Sequence, residues 1–269
     1  MFYTEIEGHI KNTGNAYISI NGYPVKLDLS NPHERRYAAC AILNIQYPQY
    51  DIDKMLIKKF VRNGDKVLDA GANIGLTALL FLENGASSVT AIEPIPEIYS
   101  RIKNIGCSGI KALKAALSDK EGIIDIYVSE THNQGSTYDI ESVNMFRHIF
   151  SEEPKKICAP KITIDGINDK FDIWKMDIEG AEKDAIVGAA KTLKSYPPRV
   201  IFSELWGNKF DEFYDMIKDT HNYAYRAVIS KKDYSLVFME PSEFTSVEHD
   251  YYSISPTFVF LHDELDVSA

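Results

Sequence analysis

The segment VLDAGANIG, residues 67–75, constrains this chain more than any other. The apolar run DKVLDA (65–70) reads as a buried strand, and GANIGLTALLFLENGA as a glycine loop opening a helix that stops near Asn84-Gly85. Glycines directly after a strand let the backbone approach a ligand, and the helix start behind them offers unpaired N–H groups to an anion. From about residue 52 short apolar runs alternate with helical-period segments, which predicts βαβ units and a parallel sheet.

The next strand is SSVTAIEP (87–94), followed by the helix PEIYSRIKNIG. IKALKAAL (110–117) is read as a strand from its place in the alternation. GIIDIYVSE and KKICAPKITID are strands flanking the polar stretch THNQGSTYDIESVN. FDIWKMD (171–177) is a strand, AEKDAIVGAAKTLKSYPP a helix ended by Pro197-Pro198, RVIFSEL (199–205) a strand and KFDEFYDMIKDTHNY a helix. YSLVFME and TFVFLHDE finish the chain as strands, so an open α/β sheet with antiparallel edge strands is expected. Ahead of it, residues 1–50 form a β-rich extension to a domain of residues 51–269. YISINGYPVKLDL predicts a hairpin turning at Asn21-Gly22, and RYAACAILNI a short helix.

Composition removes several function classes. Apolar residues make up 45% of the 269, enough for a sizeable core. Lys and Arg number 29 against 39 Asp and Glu, a net charge of -10, which opposes a nucleic-acid partner. Cys40, Cys107 and Cys158 form no C-x-x-C pair and suit a reducing compartment. No secretory leader and no membrane span is visible, so a cytoplasmic location is expected.

The chemistry of the glycine loop follows from its neighbours. A nicotinamide site wants G-x-G-x-x-G, whereas here Gly71, Asn73 and Gly75 leave the third glycine position unfilled. Asp69 sits in the strand just before the loop, poorly placed beside a pyrophosphate and well placed beside a cation. Glu93 closes the following strand, where an acid can accept both ribose hydroxyls. S-adenosylmethionine (SAM), with its carboxylate, ammonium and sulfonium, matches that mixed polarity.

A second group of acids stands at later strand ends. KMDIEGAEKDAIVGA places Asp177 at the end of a strand, Glu179 two positions on, and Glu182 in a first helical turn, where its charge complements the helix dipole. Glu204 ends the next strand. Should the two strands be neighbours, Asp177 and Glu204 face one pocket, as a general base or as oxygen ligands for Mg²⁺. His132, in the THNQGST stretch, is a third candidate base.

Taken together these pieces resemble the FkbM family of SAM-dependent methyltransferases. The matching runs are GDKVLDAGANIGLTAL, AIEPIPEIY, ALKAALSDKEG, ITIDGINDKFDIWKMDIEGAEKDAIVGAAKTL and PRVIFSE. The resemblance implies a class I (Rossmann-like) methyltransferase fold, an open, mostly parallel seven-stranded sheet with helices on both faces. It implies methyl transfer to a hydroxyl of a sugar, glycan or polyketide-type metabolite, with S-adenosylhomocysteine (SAH) as product. By motif position Asp69, Gly71, Asn73 and Gly75 hold the methionine part and Glu93 the ribose. Ala116 and Ser118 lie near adenine, and Asp177 and Glu179 border the reaction pocket. Asp177 is then the first candidate for the base, Glu204 the second and His132 the third. The first 50 residues match no motif of the family and are left to substrate binding, with Tyr17 and Tyr23 against a sugar ring, or to homo-oligomer formation. Two other readings compete: a catalytically silent nucleoside-binding protein and an NAD-dependent oxidoreductase.

Overall fold

The computed structural model describes residues 6, 8–129, 135–145, 147, 150, 153–206, 209–241 and 254–264. Its first elements are the hairpin strands β1 (Asn15–Ile20) and β2 (Tyr23–Asp28), which pair antiparallel. Asn21 and Gly22 both have positive φ, 50° and 77°, the backbone a tight hairpin turn with native twist demands. Helix α1 (Pro32–Leu43) follows. Asn31 caps it by accepting the N–H groups of His33 and Glu34, and Asn44 ends it in the left-handed region. Helix α2 (Pro48–Phe60) starts at a proline and carries Lys58 and Lys59 in its last turn, and α3 (Leu76–Glu83), α4 (Pro96–Ile105), α5 (Ile140–Met145) and α6 (Ile164–Ile167) follow it.

The strands beyond are β3 (Lys66–Ala70), β4 (Ser88–Ile92), β5 (Ile110–Leu113), β6 (Ala116–Leu117), β7 (Gly122–Tyr127) and β8 (Lys156–Ile162). After them come β9 (Ile173–Met176), β10 (Val200–Glu204), β11 (Tyr223–Ile229), β12 (Leu236–Met239) and β13 (Ile254–Leu261). Eight of these make one sheet in the order β12-β11-β13-β10-β9-β3-β4-β5. The five from β10 to β5 are parallel, and β13 inserts antiparallel between β10 and β11. This is the class I methyltransferase sheet, with β12 added as an eighth strand at its edge. A separate three-stranded sheet, β6-β8-β7, stands beside it.

Three boundaries differ from the sequence reading. IKALKAAL is not one strand: it breaks after Leu113, and Ala116–Leu117 leaves the main sheet to pair with β8. The long helix expected over residues 181–196 is two short ones, α7 (Glu182–Val187) and α8 (Ala190–Ser195), interrupted at Gly188. A Cβ at Gly188 would stand 2.2 Å from the Ser118 carbonyl oxygen, so this helix pair packs against the end of β6 only through a glycine. Helix α2 is the third difference: no helix is read over residues 48–60, although Pro48 marks its first turn.

The period of two along each strand divides the interior into two cores. Val67, Ile173, Phe202 and Val259 face the first, under α2, α3 (Leu76–Glu83) and α4 (Pro96–Ile105). Leu68, Trp174, Met176 and Ile201 face the second, under α7, α8 and α9 (Lys209–Ile217). The hairpin residues Ile18, Val25 and Leu27 belong to the first core. An ion pair fixes that attachment: Arg101 on α4 donates to both oxygens of Glu34, at 2.6 Å each, and to the Lys26 carbonyl oxygen at 2.6 Å. Among the described residues no helix is long and apolar enough to cross a membrane.

Glu34 is 2% exposed and also accepts the Asp28 N–H at 2.7 Å, so removing Arg101 takes away the guanidinium that offsets a buried charge. Arg101→Met is expected to cost about 2–4 kcal/mol. Thermal or urea unfolding measures this, and adding Glu34→Gln should recover part of the loss.

Candidate active site

The glycine loop lies at the carboxyl ends of β3 and β4. Gly71 (φ 75°), Asn73 (φ 47°) and Gly75 (φ 86°) all adopt left-handed backbone. At Gly71 a Cβ would stand 1.8 Å from the carbonyl oxygen of Asp177, so the loop can lie against the end of β9 only because it carries no side chain there. Glu93 holds the other side of the loop. Its carboxylate accepts the N–H of Asn73 at 3.1 Å and of Ile95 at 2.9 Å. Burial pushes Glu93 up to about 8.

Asp69, at the end of β3, is fully buried. One oxygen accepts the Thr77 hydroxyl at 2.7 Å, while Oδ1 has no hydrogen-bond partner among the described residues. Burial raises its pKa as well.

Between the loop and the three-stranded sheet opens a pocket with an empty volume of about 640 Å³, part of it open to solvent. Gly71, Asn73, Glu93, Ala116, Asp177 and Glu179 are among its lining residues. Its apolar wall is Ile92, Ile95, Ala115, Leu117 and Ile126. Ser118 is not part of the lining. Its hydroxyl donates to Asp119 at 3.1 Å and lies 3.3 Å from the Lys161 ammonium. Tyr17 is 66% exposed and Tyr23 packs against the first core; neither belongs to the lining.

At one end of the pocket the acids converge. β9 and β10 are adjacent and parallel, and the sequence alternation puts Asp69, Lys175, Asp177 and Glu204 on one face of the sheet. Lys175 is in register with Asp69 on one side and Phe202 on the other. Its ammonium lies 3.3 Å from Asp177. Asp177, Glu179 and Glu204 each bring one carboxylate oxygen within 4.8 Å of the other two.

The protonation of this cluster follows from its charges. Burial alone would raise Asp177, but Lys175 and a hydrogen bond from Glu204 outweigh it, and the carboxyl is lowered. Glu204 goes the opposite way: burial, then the Asp177 charge, push it well above the usual carboxylate range. Glu179 is raised for the same two reasons. Asp177 is therefore the ionised member and Glu204 the proton-bearing one, as in two acids sharing a proton. Lys175 is raised because its surrounding acids overcome the cost of burial. This donor set fits a resident Mg²⁺ poorly. The Lys175 ammonium, 3.3 Å from Asp177, already stands where a cation beside that carboxylate would sit.

Several residues of the site escaped the sequence reading. Lys175 is one, and its signal was available: a lysine inside the apolar run of a central strand. Glu182 is another. Beyond complementing a helix end, it accepts the N–H groups of Ile178 (3.0 Å) and Gly180 (3.3 Å), so it pins the turn in which Glu179 sits at φ 55°. Thr137 donates its hydroxyl to the Glu179 carbonyl oxygen at 2.5 Å, and Tyr138 donates to Asp184 at 3.1 Å. Ser136, Thr137 and Tyr138 line the pocket, so the polar stretch contributes a wall. His132 lies outside the described residues.

Two outcomes follow from this geometry. Gly71→Ala meets both the left-handed backbone and a carbonyl oxygen, and is expected to cost about 2–4 kcal/mol by thermal unfolding. Glu93 and Glu182 have folded pKa values near 8 and 7 against 4.5 ordinarily, so the folded protein binds more protons than the unfolded one between those limits. Their contribution to stability is full below pH 4.5 and is lost as pH rises to about 8. A pH series of melting temperatures on the ligand-free protein should fall over this window, and Glu93→Gln should flatten it.

The profile of the methyltransferase FkbM domain matches residues 69–234. The chain is 25% identical over 168 residues to the 2-O-methyltransferase NoeI of Sinorhizobium fredii, across 57% of this chain and 68% of that protein. Among solved structures it is similar to the methyltransferase FkbM of Methylobacillus flagellatus KT, with 14% identity and a TM-score of 0.48. That superposition covers 86% of this chain and 53% of the other. A SAM-dependent methyltransferase from Agrobacterium tumefaciens aligns at 10% identity and a TM-score of 0.45, over 94% and 71% of the two chains. The profile takes in the glycine loop, Glu93, the D-x-E-G-A-E turn and Glu204, and the chain belongs to the FkbM methyltransferase family.

Proposed function

We propose that this protein transfers the methyl group of SAM to a hydroxyl oxygen of a sugar, glycan or glycosylated or polyketide-type metabolite. The observation that carries the reading is the Lys175–Asp177–Glu204 cluster at the end of the pocket, which keeps one carboxylate ionised where the acceptor would meet the cofactor. The name of the S. fredii relative, a 2-O-methyltransferase, supports oxygen as the acceptor atom.

The residues present fit the cofactor. Asp69 has a buried oxygen in need of a donor, Glu93 offers a carboxylate at the strand end, and Ala115, Ala116 and Leu117 give an apolar wall for a purine. When bound, SAM supplies a methyl group on a positively charged sulfur, open to in-line attack by an oxygen. The chain's own part is to hold the acceptor in line and to receive its proton. Positioning contributes much of the rate in such a displacement. Asp177 is the base: Lys175 holds it ionised, and it takes up the acceptor's proton while Glu204, already carrying one, stays neutral beside it. Glu179, bordering the same pocket, keeps its carboxyl neutral beside them.

Calorimetric titration with SAH, NADH and Mg²⁺ tests the cofactor. Micromolar SAH binding, no response to NADH and an SAH affinity unchanged by Mg²⁺ are expected. No SAH binding by folded protein, or NADH binding in its place, would overturn the reading. For the chemistry, methyl transfer from labelled SAM is screened across sugar and glycan acceptors. Asp177→Asn is expected to lower turnover by roughly 10²–10⁴-fold, the usual contribution of a general base, with SAH affinity within about threefold. SAH binding without transfer to any hydroxyl acceptor would favour the silent nucleoside-binding protein instead.

A further inference from the structure

Helix α2 covers the sheet face that carries Asp69, Lys175, Asp177 and Glu204. Its residues Ile52, Leu56, Ile57 and Phe60 are buried in the first core, together with Val67, Ile173 and Phe202 of the strands below. Positions 53, 56, 57 and 60 follow the i, i+3, i+4, i+7 spacing of one helical face, so Asp53 is an acid in an otherwise apolar stripe. It is half-buried, and its charged neighbours are Lys175, Asp177 and Asp69. Asp53 also lies outside the segment that the family profile matches.

The charges around it do not balance. One ammonium, Lys175, stands among Asp177, Asp53, Asp69 and Glu204. Asp177 takes its hydrogen bond, and Glu204 is held neutral beside Asp177. Among the described residues neither Asp53 nor Asp69 has a cation within ion-pair distance, since Lys175 reaches that distance only to Asp177, and burial raises both. Asp69 adds an independent sign: its Oδ1 is buried with no hydrogen-bond partner among the described residues. A buried carboxylate oxygen lacking a donor is costly, and a cationic N–H is the donor that suits it best.

We propose that Asp53 joins Asp69 in a two-carboxylate receptor for the α-ammonium at the methionine end of the cofactor. Cofactor affinity then depends on a helix that precedes the glycine loop, and the ammonium itself is read by two acids from different elements. This rests on the function proposed above and deepens it.

The experiment is a thermodynamic cycle by calorimetry. Wild-type protein and Asp53→Asn are each titrated with SAH and with the SAH analogue that lacks only the α-amino group. Wild type should bind SAH roughly tenfold or more tighter than the analogue, the worth of a charged hydrogen bond, and Asp53→Asn should remove most of that preference. Affinity for the analogue should stay within about twofold between the two proteins, with matching melting curves confirming the fold. Equal wild-type affinity for the two ligands would overturn the receptor while leaving the cofactor assignment standing. So would an Asn variant that keeps the full preference, or one that weakens both ligands alike. Binding of neither ligand by wild type would overturn the cofactor assignment and this inference together. Asp53→Glu, which keeps the charge, should retain part of the preference.

Discussion

A single buried ammonium organises the centre of this protein. Lys175 stands on a central strand with 8% of its side chain exposed, flanked by Asp69 in register and by Asp177 two positions on. Stripping water from a charge is expensive, and only close partners of opposite sign make it tolerable. The strand ends are arranged around this requirement. β3, β9 and β10 each turn an acid to the same face, and α2 closes the face with another. Lys175 holds Asp177 ionised, and that charge, together with burial, keeps Glu204 neutral, so the two states are not independent properties of two acids.

Packing against this charged row explains why the glycines stand where they do. The glycine loop reaches the end of β9 so closely that Gly71 has room for no side chain, and Gly188 brings the α7–α8 pair against Ser118 in the same way. Glu93 and Glu182 serve as staples: each spends its carboxylate on backbone N–H groups of the turn it stabilises. Acids that look like ligand contacts from their positions therefore carry part of the architecture. Their burial also leaves them with pKa values near neutrality, so the fold around the pocket is sensitive to proton concentration.

Much of this was legible in the residue order, for a physical reason. Strand-to-loop junctions of a parallel sheet have strict local demands, and DAGANIG and DIEGAE meet them within a few residues. The adjacency of Asp177 and Glu204 was readable only as a condition, because strand order is a long-range property; β9 and β10 being neighbours satisfies it. Helix α2 was harder, since its buried stripe is interrupted by Asp53 and its exposed positions are charged. Lys175 is hard to read because a lysine between apolar residues looks like an exception to a strand rather than a part of a site. The break after Leu113 was invisible, as Lys114 and Ala115 carry no turn residue between the two strands.

The insertion of β13 between β10 and β11 bears on how the molecule is made. Until residues 254–261 exist, β10 has no neighbour on its outer side, and the strands β11 and β12 have nothing to join. The half of the sheet from β3 to β5, which carries the glycine loop, is assembled from chain synthesised long before. During synthesis the edge carrying Glu204 stays open to water and to other chains, while the glycine loop can already fold. Long-range strand insertion of this kind is slow and leaves pairing edges exposed. The edge that carries Glu204 is thus covered after the β3–β5 half has formed, and the greatest risk of misassembly falls just before β13 inserts.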